Sequence, residues 1–167
     1  PEVSPIVYQN SGEYYRGVNA DYLALMQKNL NLKIIIKQYD NEQEALAALA
    51  NNDVDTLITQ LSRRQDVGGN LLRTSVLLTT WPTLVTSLKN TMLPLTTNHQ
   101  VSVACVRDCP FLDVIQGAFP EAKVSFYDDE YQAMASVVNG DNQYYIGNNI
   151  TSSHCVSRYF SQSLVIT

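Results

Sequence analysis

KIIIKQYDNEQEALAALANNDVDTLIT, residues 33–59, returns later in the chain as KVSFYDDEYQAMASVVNGDNQYYIGN, residues 123–148. Tyr39/Tyr127, Asp40/Asp128, Glu42/Glu130, Ala45/Ala133, Ala47/Ala135, Asn51/Asn139 and Asp53/Asp141 all share an offset of 88. Each copy opens on a β-branched and aromatic run of strand length, Ile34-Ile35-Ile36 or Val124-Ser125-Phe126-Tyr127. Each then changes to apolar residues at helical spacing. Asp40 and Asp128 stand where N-caps belong, with acidic residues in the first turn that suit the helix dipole. Asn51-Asn52 and Asn139-Gly140 end the helices, and residues 55–59 and 143–146 read as second strands. Strand, helix, strand at this length is a βαβ unit with parallel strands. Two such units predict two similar α/β lobes.

Working outward, the 167 residues with 45% hydrophobic content are enough to bury a core. The formal net charge is −5, and no Lys/Arg cluster exists to neutralise phosphates, which argues against nucleic acid as a partner. No apolar run approaches the roughly 20 residues that span a bilayer. No signal peptide is legible and the chain begins at Pro1 without Met, as expected of an excised segment.

Before the first copy, residues 5–8 read as a short strand, Asn10-Ser11-Gly12 as a turn, and residues 19–29 as a helix with Tyr22, Leu23, Met26 and Leu30 on one face. After it, the polar loop SRRQDVGGN leads to strand-like residues 71–80, and then to the β-rich TLVTS at 83–87. The connection LKNTMLPLTTNHQ sets the expected boundary, with lobe 1 at residues 1–88 and lobe 2 at 89–167. Residues 101–106 are a strand and Cys109-Pro110 opens a helix, Pro110 lying where its missing N–H costs nothing. Asn148-Asn149 caps a helix running through Phe160, and residues 164–166 form a last strand.

This order of elements, together with PEVSPIVYQNSGEYYRGVNADYLALM, DVDTLITQLSRRQD and TTWPTLVT, resembles the type II periplasmic solute-binding, or Venus flytrap, fold. VNADYLALMQKNLNLKI, LLTTWPTLVTSLKNTMLPLTT and QYYIGNNITSSHCVSRYFSQSL are more specifically similar to the first flytrap module of EvgS/BvgS-type hybrid sensor histidine kinases. The resemblance implies a two-lobed α/β fold truncated at both ends. It implies an extracytoplasmic, periplasmic signal-sensing module of an inner-membrane receptor, with the remaining receptor domains as partners and kinase activity only in cytoplasmic domains. An open edge left by truncation would favour a homodimer. The alternative is a free periplasmic solute-binding protein of a transport system.

Amino-acid-binding members of the fold grip the ligand carboxylate with an Arg after the S-x-T motif and the ammonium with an acid after the last lobe-2 strand. Aligned by resemblance, Val67 and Asn148 occupy those positions, with Arg63 and Arg64 displaced upstream. Both charged clamps are thus absent. A polar cleft remains at Thr59, Gln60, Ser62, Arg107 and Asn148, each of which is also an ordinary loop or cap residue. The small-molecule ligand stays open. His99, in the connection, and His154, on the last helix, are the candidate pH-sensing residues. No catalytic residue is expected, because neither histidine accompanies a nucleophile at a recognisable motif.

Cys105, Cys109 and Cys155 leave at least one thiol unpaired within the chain. Their spacing with His154 does not match the usual CxxC pairs of zinc clusters, so neither metal nor cofactor is expected. Cys109 and Cys155 follow parallel strands at their C-terminal ends, which predicts proximity and a candidate disulfide. Cys105, inside the apolar run VSVACV, is then a buried thiol. The local alternative, Cys105 with Cys109, requires a sharp turn straight after the strand.

Overall fold

The computed structural model describes residues 4–6, 8–9, 15–39, 41–58, 71–90, 101–107 and 109–167. The chain divides into two compact units, Pro1–Leu78 and Thr79–Thr167.

In the first unit, β1 (Tyr8–Gln9) pairs antiparallel with β2 (Tyr15–Arg16) and leads into α1 (Val18–Leu30). Gly17 makes this corner with φ 103°, and a Cβ there would collide with the Pro5 carbonyl. That closeness lets the Pro5 and Ile6 carbonyls accept from the N–H groups of Val18 (3.2 Å) and Asn19 (3.0 Å), satisfying the start of α1. Helix α1 ends on Asn31 in the left-handed region, and none of its residues is buried. The first repeat copy supplies α2 (Glu42–Ala50), with Ala45 and Ala48 buried.

The strands expected around α2 are not found. Residues 32–39 and 53–58 pair with no neighbouring strand among the described residues, and neither do residues 71–80. A β-branched run becomes a strand only when a partner satisfies its backbone. Here Ile35 is 74% exposed, so the apolar pattern alone does not produce a strand.

The second unit is a five-stranded sheet in the order β5-β4-β6-β3-β7, built from β3 (Pro82–Ser87), β4 (Ser102–Val106), β5 (Lys123–Tyr127), β6 (Tyr144–Asn148) and β7 (Leu164–Ile166). Strand β4 runs parallel to β5 and β6, whereas β3 is antiparallel to both β6 and β7. The parallel pairs need crossovers, supplied by α3 (Leu112–Ala118) and α4 (Glu130–Asn139). Because β3 pairs with β6 over five residues, the division falls at 78/79, upstream of the expected 88/89 boundary. The run at 83–87 belongs to the second unit's sheet.

Alternation along the strands sorts two apolar clusters. One holds Val103, Cys105, Cys109, Ile115, Tyr144 and Ile146, on the α3 side. The other holds Val85, Ala104, Ala133, Met134, Val137, Tyr145, Cys155, Phe160 and Leu164, on the side of α4 and of α5 (Asn149–Cys155), which continues as a π-helical turn, Val156–Phe160.

The two repeat helices are capped alike, one residue later than expected. Asn41 accepts from Glu44 N–H at 2.9 Å and Asp129 from Gln132 N–H at 2.8 Å. In each, the third helical residue answers through its side chain: the Asn41 amide donates to Glu44 at 2.8 Å, and the Gln132 amide donates to Asp129 at 3.1 Å.

Candidate functional site

The C-terminal ends of the parallel strands bring Arg107, Asp128 and Asn148 to one rim of the second unit. Arg107 follows β4, where its N–H donates to the Tyr127 carbonyl at 2.8 Å. Its guanidinium pairs through Nε with Asp128 Oδ1. Both side chains are well exposed, so the pair contributes little to stability. Asn148 ends β6 and turns its amide oxygen back onto α5, accepting from the N–H groups of Ile150 at 3.1 Å and Thr151 at 3.0 Å. The sequence-predicted site residue is therefore the helix's own cap, an arrangement that a charged carboxylate would also provide. Next to it, Trp81 and Asn149 exchange two hydrogen bonds, Trp81 N–H to Asn149 Oδ1 and Asn149 N–H to the Trp81 carbonyl. Of the other predicted site residues, Thr59, Gln60, Ser62 and His99 lie outside the described residues, as does Val67.

The disulfide joins Cys105 to Cys109, with Cα atoms 5.9 Å apart, and Cys155 is a buried free thiol. The expected Cys109–Cys155 bridge is incorrect for a topological reason. Cys105 and Cys109 lie in the cluster beneath α3, and Cys155 lies in the cluster on the opposite side of the sheet. Following strands at the same end did not place the two cysteines on the same side. The chain makes the sharp turn the local bridge requires, which holds Cys109 before α3 and delays the helix to Leu112.

The buried polar centre of the unit was not singled out from sequence. Glu130, the first residue of α4, points inward, where Tyr145 OH donates to its Oε1 at 2.6 Å and Thr151 Oγ1 donates to the same oxygen. Burial raises its pKa above the ordinary carboxylate value; the hydrogen bonds from Thr151 and Tyr145 and the field of His154 oppose that rise. Burial, reinforced by Glu130, also raises the Tyr145 pKa. Cys155 is pushed up to about 11 by burial, with added fields from Glu130 and Asp129. His154 occupies the last turn of α5, partly buried. The signal for Glu130 was present in the repeat, an acid at the first helical position in both copies, but dipole complementarity accounts for such an acid without burial.

Among the described residues, no group of three His, Cys, Asp or Glu could hold a metal, and no helix is long and apolar enough to cross a membrane.

These features define the class first: a unit of the type II periplasmic-binding, or Venus flytrap, fold. No protein-family model matches the chain. It is 38% identical over 163 residues to the sensor protein EvgS of Escherichia coli K12, covering 98% of this chain and 14% of that protein. It is 28% identical over 172 residues to the virulence sensor protein BvgS of Bordetella pertussis, covering 99% of this chain and 13% of that one. Among solved structures, the periplasmic VFT2 domain of Bordetella pertussis BvgS aligns with TM-score 0.69 at 24% identity, over 98% of this chain and 69% of that one. A lysine-complexed putative transporter binding component from Wolinella succinogenes aligns with TM-score 0.80 at 15% identity, over 99% and 72%. The chain is thus similar in sequence to a segment of EvgS and of BvgS, and shares its fold with the periplasmic VFT2 domain of BvgS. It spans about one-seventh of the length of these relatives.

Proposed function

We propose that the chain is an extracytoplasmic signal-sensing module of a two-component hybrid histidine kinase, passing its conformation to a membrane-anchored kinase domain of the same polypeptide. The observation that carries this reading is the 38% identity to EvgS across 98% of the chain, set against 15% for a transporter component of the same fold. Fold is shared by both classes; sequence favours the sensor.

The rim of the second unit supports a sensing role that does not depend on a free amino acid. Its cation, Arg107, is already paired with Asp128, and the amide of Asn148 is committed to capping α5. A ligand contacting this rim has to compete for both. Within this reading His154, partly buried in the last turn of α5, stays a candidate pH-sensing residue beside His99. Cell fractionation with autophosphorylation tests the assignment. The encoded full-length protein is expected in the inner membrane and to label itself from ATP. Release as a soluble periplasmic protein by osmotic shock, without labelling, identifies a solute-binding protein instead.

A further inference from the structure

Helix α4 carries more apolar surface than its core contact uses. Ala133, Met134 and Val137 are buried against the sheet, yet Tyr131 and Val138, seven residues apart on one stripe, are 52% and 42% exposed. The π-helical turn adds to this surface. Tyr159, 55% exposed, meets Tyr131 edge to face with ring centroids 5.5 Å apart and planes at 90°. Buried Phe160 packs 5.1 Å from the Tyr131 ring and fixes its position. Arg158 lies over the face of Tyr159, its Cζ 5.5 Å from the centroid. Among the described residues no carboxylate pairs with it.

This is the composition of an interaction anchor. Tyrosines present large contact area with few torsions to immobilise, and Tyr and Arg are enriched among residues that dominate binding energy. A π-turn sacrifices hydrogen-bond geometry and recurs at functional positions. The chemistry also selects the occupant. An unpaired guanidinium calls for a carboxylate, and the rings beside it call for an apolar neighbour. A membrane surface fits poorly, because anionic headgroups are held by clusters of basic residues and Arg158 is the only Lys or Arg on α4, α5 and the π-turn.

We propose that the patch formed by Tyr131, Arg158 and Tyr159 is the docking surface for a carboxylate-bearing, apolar segment of another domain of the same receptor polypeptide. The assignment in cis rests on reading the chain as one module of a larger receptor, supported by the 14% share that the homologous segment has of EvgS. A tethered domain meets such a patch at roughly millimolar effective concentration.

The test uses the full-length receptor in its own membrane, with the photo-crosslinker p-benzoylphenylalanine replacing Tyr159, and separately Tyr131. The expected product is a crosslink within one polypeptide, to a peptide outside these 167 residues that contains Asp or Glu beside an apolar residue. Arg158→Glu is expected to lower its yield about tenfold, and Lys in place of the captured carboxylate to restore it. Hydroxyl-radical footprinting of the receptor without the crosslinker gives a second reading, in which Tyr131 and Tyr159 become several-fold more reactive in Arg158→Glu. The proposal is overturned by a yield and footprint that ignore Arg158→Glu, or by crosslinks only to lipid, to glycan or to the same patch of a second copy. Failure of the receptor reading itself is distinguishable, because the encoded protein then runs at the size of a solute-binding protein on a denaturing gel.

Discussion

Glu130 shows how one side chain can tie three elements together. A single carboxylate oxygen accepts from Tyr145 on β6 and Thr151 on α5 while the residue itself begins α4. Glu130→Ala leaves both hydroxyls without that acceptor and is expected to cost about 2 kcal/mol or more in urea denaturation. Glu130→Gln keeps the oxygen and is expected to cost far less. The sign with pH follows from the raised folded pKa. Stability from this group is fully present below its unfolded value of about 4.3, falls as pH rises through the raised folded value, and is level above it. The stability difference between wild type and Glu130→Gln should therefore drift between about pH 4 and the raised value and then flatten. Gly147 guards the same centre: a Cβ there would fall on the Tyr145 hydroxyl and crowd the buried Ser152 Oγ. Gly147→Ala is expected to destabilise by about 1–3 kcal/mol, with partial recovery in Gly147→Ala/Tyr145→Phe.

At the level of elements, the repeat makes the caps comparable. Asn41→Ala and Asp129→Ala each remove a reciprocal pair at a helix start and should each cost about 1 kcal/mol by thermal denaturation. The disulfide closes a five-residue ring, for which chain entropy predicts about 2 kcal/mol. Alkylation of the denatured, unreduced protein should count one thiol, and three after reduction; in the folded protein Cys155 should stay unmodified at neutral pH because it is buried with its pKa pushed up to about 11. The helices of both copies, β3 to β7 and the final helix were legible because local pattern and capping chemistry determine them. The strands predicted around α2 were not, since ladder partners are a long-range property that a run such as Ile34-Ile35-Ile36 does not encode. The cysteine pairing failed similarly. Strand order was inferred, but the face on which a residue after the strand is packed depends on where the loop turns. Of the residues expected to line a polar cleft, Arg107 and Asn148 share one rim of the second unit and the others lie outside the described residues, whereas Glu130 was hidden by an adequate local explanation for an acid at a helix start.

For the molecule as a whole, the neutral cap at Asn148 has a measurable corollary. With Val67 and Asn148 aligned by resemblance to the clamp positions, the chain is expected to lack two charge-assisted contacts worth roughly 1.5–3 kcal/mol each to amino-acid binders of the fold. Calorimetric titration with the standard amino acids is expected to show no dissociation constant as tight as micromolar; one such value would refute the expectation. The antiparallel seam between β3 and β7 carries a different consequence. The second unit starts just before β3 and its last residue follows β7, and both lie at one end of the sheet, where Thr167 N–H donates to the Leu84 carbonyl at 3.0 Å. A tension applied across Trp81 and Thr167 would load that bond first and peel the ladder one rung at a time, instead of shearing all rungs together. The seam is a zipper held from its tab, soft to a pull that arrives through the chain itself.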